Sequence, residues 1–106
     1  MAAKAPAREY TISANGRTVV ASASAMRFDG ILEVAVLTGG TLGGGVLSVQ
    51  ASYEDAPNTG TAAHWVTVAG LETLEVGKLY RIRVGAETIA LNLTGATSPS
   101  LSIVAR

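Results

Sequence analysis

From Glu9 onward, apolar and polar residues alternate with a period of two, and short clusters of turn residues repeatedly interrupt the alternation. A period of two is that of a β-strand, because successive side chains point to opposite faces of a sheet. Asn15-Gly16 and Asp29-Gly30 suit the positive φ angles of tight turns. About eight short strands fit between such turns, and no convincing helix of ten or more residues is present. The sequence therefore predicts an all-β domain, a single antiparallel β-sandwich of jelly-roll or immunoglobulin-like type.

The positions of apolar residues predict which side chains each strand buries. Ile31–Leu37 is apolar except for Glu33, so this strand is expected to be buried on most of both faces, with Glu33 near an end or an edge. The run from Leu47 to Tyr53 alternates apolar with polar residues and is expected to have one wet face. A later strand separates apolar from mainly basic residues: Tyr80, Ile82 and Val84 oppose Leu79, Arg81 and Arg83.

Two connecting segments are interpreted as structural. Gly39–Gly45 contains five glycines in seven residues, but a phosphate-binding loop needs a following lysine and a helix, whereas Val46 begins a strand. A flexible hairpin connection is therefore predicted for this segment. Leu71–Val76 is expected to be a short helical turn or a connection, which ends at Gly77.

The 106 residues are expected to form one domain preceded by a short arm. Residues 1–8 are small and basic and contain a proline, which predicts a disordered tail; the alternative is an arm that orders only against a neighbour. Residues 9–106 form the predicted β-sandwich. Twelve glycines and many alanines give this sandwich a modest core, so stabilisation by neighbouring copies is favoured.

Charge and cysteine content exclude several classes of function. Eight basic and eight acidic residues cancel, so no overall attraction to nucleic acid or to anionic membranes is expected. The chain has no cysteine, which removes disulfides and thiolate chemistry and, with one histidine, leaves no zinc ligand set. No apolar run approaches the ~20 residues of a membrane helix. The N-terminus lacks the apolar region of a signal peptide, so synthesis in a cytoplasm is expected.

The residues suited to catalysis do not form a recognisable set. His64 is the only histidine, and no nucleophile-elbow pattern accompanies it, so a surface or interface role is expected. Glu54 and Asp55 are expected to be solvated loop residues, because a paired acid–base mechanism needs two carboxyl groups held apart in a pocket. Their spacing with Asn58 matches no EF-hand. The sequence therefore predicts a protein that is not an enzyme and that binds neither metal nor cofactor.

Arg81 and Arg83, with Lys78 nearby, form the one basic stripe on a predicted strand. Two arginines on one solvent face can contact acidic groups of a partner. The sequence leaves two interpretations open, an ordinary charged outer face and a partner-binding surface.

A strand, an acidic turn and a tryptophan-led strand (SVQASYED…HWVTV) precede GKLYRIRVGAETIALNLTGATSPSLSIVAR. This arrangement resembles small β-sandwich virion proteins of tailed bacteriophages. In such proteins a strand that ends in Ser plus an acidic turn is followed by a Trp-led strand, then a Tyr/Arg strand and a closing Gly-Ala-Thr hairpin. The similarity covers Ile31 to Arg106, and the matching residues are Ser52, Asp55, Trp65, Tyr80, Arg81 and Gly95-Ala96-Thr97.

The resemblance implies a capsid decoration (cement) protein, or another head-exterior or head–tail component, present in many copies. Such a protein is made in the cytoplasm of the bacterial host and binds the major capsid protein on the outer capsid surface. Assembly as a homo-oligomer, a trimer or a dimer, is expected, with no nucleic-acid or membrane partner. The residues expected to contact partners are Lys4, Arg8, His64, Arg81 and Arg83.

An immunoglobulin-like or carbohydrate-binding module is the alternative interpretation. It would use Tyr53, His64 and Trp65, because aromatic faces stack on sugars. The opposing interpretation of Trp65 is a core residue, as is usual for a lone tryptophan in a small sandwich.

Overall fold

The computed structural model describes residues 8–22, 31–54, 57–83 and 86–106. Within these residues the chain forms eight strands and one three-residue 3-10 turn: β1 (Arg8–Ile12), β2 (Gly16–Ser22), β3 (Ile31–Val36), β4 (Val46–Ser52), the turn Ala62–His64, β5 (Val66–Thr67), β6 (Lys78–Arg83), β7 (Thr88–Thr94) and β8 (Leu101–Ala105). The all-β prediction is confirmed. No helix in this part of the chain is long and apolar enough to cross a membrane.

Some sequence-based predictions fall outside the described residues and stay predictions. They concern the arm before Arg8, including Lys4, the Asp29-Gly30 turn, Asp55 and Val84.

The strands form two four-stranded antiparallel sheets, sheet I (β1-β8-β3-β6) and sheet II (β2-β7-β4-β5). The pairs are nested: β1 with β8, β2 with β7, β3 with β6 and β4 with β5. This is the order obtained when one long hairpin of strand pairs folds over on itself, which is the jelly roll. In the immunoglobulin fold the first two strands share a sheet, whereas β1 and β2 lie in different sheets here. The strand order therefore corresponds to the jelly-roll alternative.

The core lies between the two sheets and follows the predicted alternation. Leu47, Leu91 and Ile103 are fully buried, and they come from strands of both sheets. On β6, Ile82 is 1% exposed, whereas Leu79, of the opposite parity, is 62% exposed. Each sheet thus contributes one apolar face, and burial of these faces is the main favourable term in folding.

The outer face of sheet II is covered, contrary to the prediction of a wet face on β4. Ser48 and Ser52 have the outward parity but are buried, as is Ala90 on the neighbouring β7. The long connection from β4 to β5 folds back over this face, and Trp65 at its end is 6% exposed. Alternation alone predicts which side of a strand a residue occupies, but a covering loop decides whether that side reaches water.

The Gly39–Gly45 segment is a packed crossover, so its prediction as a hairpin connection is wrong. It joins β3 in sheet I to β4 in sheet II, and Thr97 donates a backbone hydrogen bond to Gly43 at 2.9 Å. Gly43 has a φ of +62°, and a Cβ there would overlap the carbonyl oxygen of Thr97. The glycines allow the crossover to lie against the 94–100 loop, a close approach that a side chain would block.

Leu71–Val76 is a connection, one of the two predicted possibilities, and contains no helix. The amide of Val49 donates to Leu71 O at 2.9 Å, and the amide of Leu74 donates to Leu47 O at 2.7 Å. Leu74 is fully buried. The connection therefore occupies the edge of β4 beyond the two-residue β5, which is shorter than the predicted strand from Trp65 to Val68.

Candidate interaction surface

Three side chains of β6 point to solvent on the outer face of sheet I: Leu79, Arg81 and Arg83. Their cross-strand neighbours on β3 are Ala35, Glu33 and Ile31, respectively. These residues lie on the same face of the sheet, because side chains alternate along each strand and β3 pairs with β6 without a bulge. We call Leu79, Arg81 and Arg83, together with Glu33, Ala35 and Leu37, the β6 surface.

The apolar part of the β6 surface is centred on Leu79. Leu79 is 62% exposed and Leu37 37% exposed, and Ala35 lies between them on β3. A shallow depression of about 220 Å³ opens where β3 ends and β6 begins, with these three residues in its lining. A contiguous group of exposed apolar side chains is one of the surface features that can mark an interaction site.

The charged part of the β6 surface surrounds this apolar centre. Arg81 Nε lies 3.1 Å from Glu33 Oε2, and Lys78 Nζ lies 3.7 Å from Glu75 Oε2. Both pairs have solvent-exposed members, and exposed ion pairs contribute only about 0–1 kcal/mol to stability. Arg83 has no ion pair with any described residue. Among the described residues the Arg83 charge therefore has no acidic partner, and the ion pairs of Arg81 and Lys78 are weak enough to exchange.

Arg8 and Lys4, two of the predicted partner-binding residues, do not extend this surface. Arg8 is the first residue of β1, although the sequence placed it in the arm, and β1 is the opposite edge strand of sheet I from β6. Arg8 is in register with the buried Ala105, on the side of the sheet that faces the core, whereas Arg81 is in register with Glu33 on the outer side. Lys4 lies outside the described residues.

His64, the remaining predicted residue, belongs to the loop over sheet II. It ends the 3-10 turn, its amide donates to Thr61 O at 3.1 Å, and its Nδ1 contacts the Glu54 carboxylate. The backbone of Glu54 is fixed by Ser52 and Thr88, whose hydroxyl groups bond its amide and carbonyl at 3.2 and 3.1 Å. His64 therefore joins the two ends of the β4–β5 connection and is separate from Arg81 and Arg83.

The segment 57–65 lies over the outer face of sheet II, and we call it the lid. It is organised around Trp65. Its indole N–H donates to Asn58 O at 3.0 Å, and the guanidinium of Arg17 lies 5.8 Å from the ring centroid. Arg17 also donates to Gln50 Oε1 at 2.5 Å and to Thr59 O at 2.9 Å. The interpretation of Trp65 as a buried residue is confirmed, and Trp65 lies in the lid and outside the cluster of residues between the sheets.

Sequence reasoning missed Arg17, which contacts the Trp65 ring, and Gln50, which accepts a hydrogen bond from Arg17. They lie on β2 and β4, and β7 passes between them, so their contact depends on the strand order 2-7-4. Alternation along the chain identifies the outward positions of both residues but carries no information about which strands are neighbours.

The side chains on these surfaces can form non-covalent contacts with a partner. Within residues 8–22, 31–54, 57–83 and 86–106, no group of three or more His, Cys, Asp or Glu side chains is arranged to hold a metal ion. The arginines of the β6 surface can donate hydrogen bonds to carboxylates, and Leu79 offers apolar area.

No protein-family model matches the chain, and no match is found among the curated proteins or the solved structures.

Proposed function

We propose that the protein is a structural component of a tailed-phage virion, a capsid decoration protein that binds the outer surface of the head. The observation that carries this proposal is the β6 surface, which has an exposed apolar centre at Leu79 and a rim that includes Arg81, Arg83 and Glu33. An apolar centre with a polar rim is the usual composition of a protein–protein interface. The resemblance to virion proteins supplies the identity of the partner, the major capsid protein.

The shape of the β6 surface favours a protein partner over a small ligand. Its depression is open to solvent. The volume of the depression, about 220 Å³, is smaller than the roughly 300–1,000 Å³ of common ligand pockets. Two exposed apolar side chains, Leu79 and Leu37, line this depression, which is open and not an enclosed cavity. Such a surface binds by covered area.

A decoration protein of this kind stabilises the head through many weak contacts. Each copy would cover apolar and hydrogen-bonding area on the capsid, and linkage of copies as a dimer or trimer would multiply the effect of each contact. The protein would act on the capsid exterior after synthesis in the bacterial cytoplasm. A reaction centre is not needed for this function.

The experiment that tests the proposal is quantitative mass spectrometry of purified particles of the phage that encodes the chain. We expect a copy number within a few-fold of that of the major capsid protein, because a decoration protein covers the capsid lattice. A handful of copies per particle, or none, contradicts the proposal. A matched analysis of isolated tails is expected to find the protein depleted.

A carbohydrate-binding module is a second candidate, and one observation favours it. Tyr53 is 73% exposed next to Glu54, whose carboxylate contacts His64, and an exposed aromatic ring beside polar groups can stack on a sugar. Trp65 does not take part, because it is buried and its indole N–H is already bonded. A glycan array distinguishes the candidates: binding that is lost in Tyr53→Ala and retained in Arg81→Gln favours the module.

A further inference from the structure

The backbone hydrogen bonds of β3 establish which side of β6 is open. Glu33 and Arg106 exchange two backbone hydrogen bonds, at 2.9 and 2.8 Å, and the Leu37 amide donates to Ser102 O at 2.9 Å. Glu33 and Ala35 of β3 therefore bond to the side of β8, and in an antiparallel ladder the even-numbered residues of β3 bond to β6. The carbonyl of Val36 agrees with this assignment, because it accepts from Gly77 at 2.7 Å.

The register then identifies the unpaired groups of β6. Leu32, Val34 and Val36 lie opposite Ile82, Tyr80 and Lys78, so these three residues of β6 direct their N–H and C=O groups to β3. The groups of Leu79, Arg81 and Arg83 point away from the sheet, and no described strand pairs with them. The outward side chains of β6 and its open backbone edge thus belong to the same three residues.

The edges of sheet II are less suited to accept a strand. On one side the 66–74 connection bonds to β4, through contacts such as Val68 N to Val49 O at 2.9 Å. On the other side β2 has a register shift between Val19 and Ala21, and a bulge of this kind interrupts pairing along an edge. The β6 edge is six residues long, with no bulge in its pairing to β3.

The charges on the β6 edge define the occupant. A second β6 strand is disfavoured, because antiparallel pairing centred on Arg81 would place Arg81 directly opposite the same arginine of another copy. An acidic strand would place carboxylates beside Arg81 and Arg83, and an apolar side chain at its end would reach Leu79 and the depression. We propose that the β6 edge accepts an extended acidic segment of the partner protein as an additional strand of sheet I.

This inference takes the identity of the partner from the proposed function, whereas the mode of binding follows from the edge itself. Main-chain hydrogen bonds to Leu79, Arg81 and Arg83 supply the pairing, and the outward side chains supply the selection. When no segment is bound, the polar groups of the β6 edge are hydrated by water. The free protein is therefore expected to stay folded.

The test is an NMR titration of the folded protein with the peptide acetyl-Leu-Thr-Glu-Thr-Glu-Thr-Leu-amide, whose sequence is the same in both directions. A peptide with lysine in place of both glutamates is the control. We expect the amide signals of Leu79, Arg81 and Arg83 to shift with the acidic peptide and to stay in place with the lysine peptide. Absence of shifts, equal shifts with both peptides, or shifts confined to another edge overturn the inference.

Two variants separate the charge from the backbone contribution. The double variant with Arg81→Gln and Arg83→Gln is expected to bind the acidic peptide several-fold more weakly, because exposed ion pairs of modest strength are lost. Leu79→Pro removes one outward N–H that β3 does not use, so the fold is expected to survive while the peptide no longer binds. Thermal unfolding of each variant checks the fold, and wild-type affinity in a folded double variant contradicts the selection by charge.

The peptide titration tests the binding mode, and the mass spectrometry of particles tests the proposed function. A negative result in one leaves the other proposal standing. A protein abundant on particles but inert toward the acidic peptide has the proposed function and a different binding mode. A protein that binds the peptide through β6 but is absent from particles retains the inferred edge and has another partner. Shifts at β6 and β1 that grow with protein concentration alone identify a second copy as the occupant and overturn the inference.

Discussion

Glu33 and Arg81 lie directly opposite each other on β3 and β6, with Arg81 Nε 3.1 Å from Glu33 Oε2. The Arg81 side chain is 77% exposed and that of Glu33 22% exposed, so the pair stands at the boundary between the sheet and solvent. Two residues further along β6, Arg83 has no acidic neighbour in the same register. Among the described residues, β6 therefore has a paired arginine next to the exposed Leu79 and an unpaired one at its far end.

Hydrogen exchange is expected to alternate along β6. The amides of Tyr80 and Ile82 bond to β3 and should be protected, whereas those of Leu79, Arg81 and Arg83 face solvent and should exchange rapidly. Residue-resolved exchange measured by NMR checks this pattern. The internal strand β3 is the control, because successive amides from Leu32 to Val36 bond alternately to β6 and β8 and should all be protected. Uniform protection along β6 would show that its outer edge is occupied.

Gly43→Ala is expected to destabilise the protein more than Gly44→Ala. Both glycines have positive φ, at +62° and +77°, so each substitution incurs about 1–2 kcal/mol of backbone strain. Only at Gly43 does the new Cβ overlap the Thr97 backbone, while nothing lies within 4 Å of a Cβ at Gly44. Overpacking should add about 1–3 kcal/mol at Gly43. Chemical denaturation gives the two free energies of unfolding, and equal values would mean that the crossover is not packed as described.

Trp65→Ala is expected to reduce the free energy of unfolding by about 3–5 kcal/mol, because it removes a buried aromatic side chain. Tyr53→Ala is the matched control: Tyr53 is 73% exposed, and its loss should change stability by no more than about 0.5 kcal/mol. Thermal or urea unfolding measures both. A small effect of Trp65→Ala would show that the lid contributes little to the fold.

The sequence predicted the sandwich because the alternation of apolar and polar residues indicates which side chains of each strand face the core and which face solvent. It also predicted correctly that Ile82 faces the core and that Leu79 shares a side with the arginines. Neither result depends on knowing which strands are neighbours. Local pattern alone was sufficient for them.

Features that depend on strand order were missed or predicted wrongly. The site of Trp65 is set by Arg17 and Gln50, which meet only because β2, β7 and β4 are adjacent. The role of Gly43 is set by Thr97, more than fifty positions away in sequence. The open edge of β6 likewise follows from its terminal place in sheet I. Long-range pairing of this kind leaves no periodic trace in the chain.

The most direct test of the β6 surface is cosedimentation of the purified protein with phage heads that lack it. Wild-type protein, Tyr53→Ala and Arg8→Gln are expected to sediment with the heads, because those substitutions lie away from the β6 surface. A folded variant with Arg81→Glu and Arg83→Glu is expected to remain in the supernatant, since it reverses the charge that would meet an acidic partner. Equal sedimentation of this variant and the wild type, or no sedimentation of the wild type, would contradict the proposed role of the β6 surface.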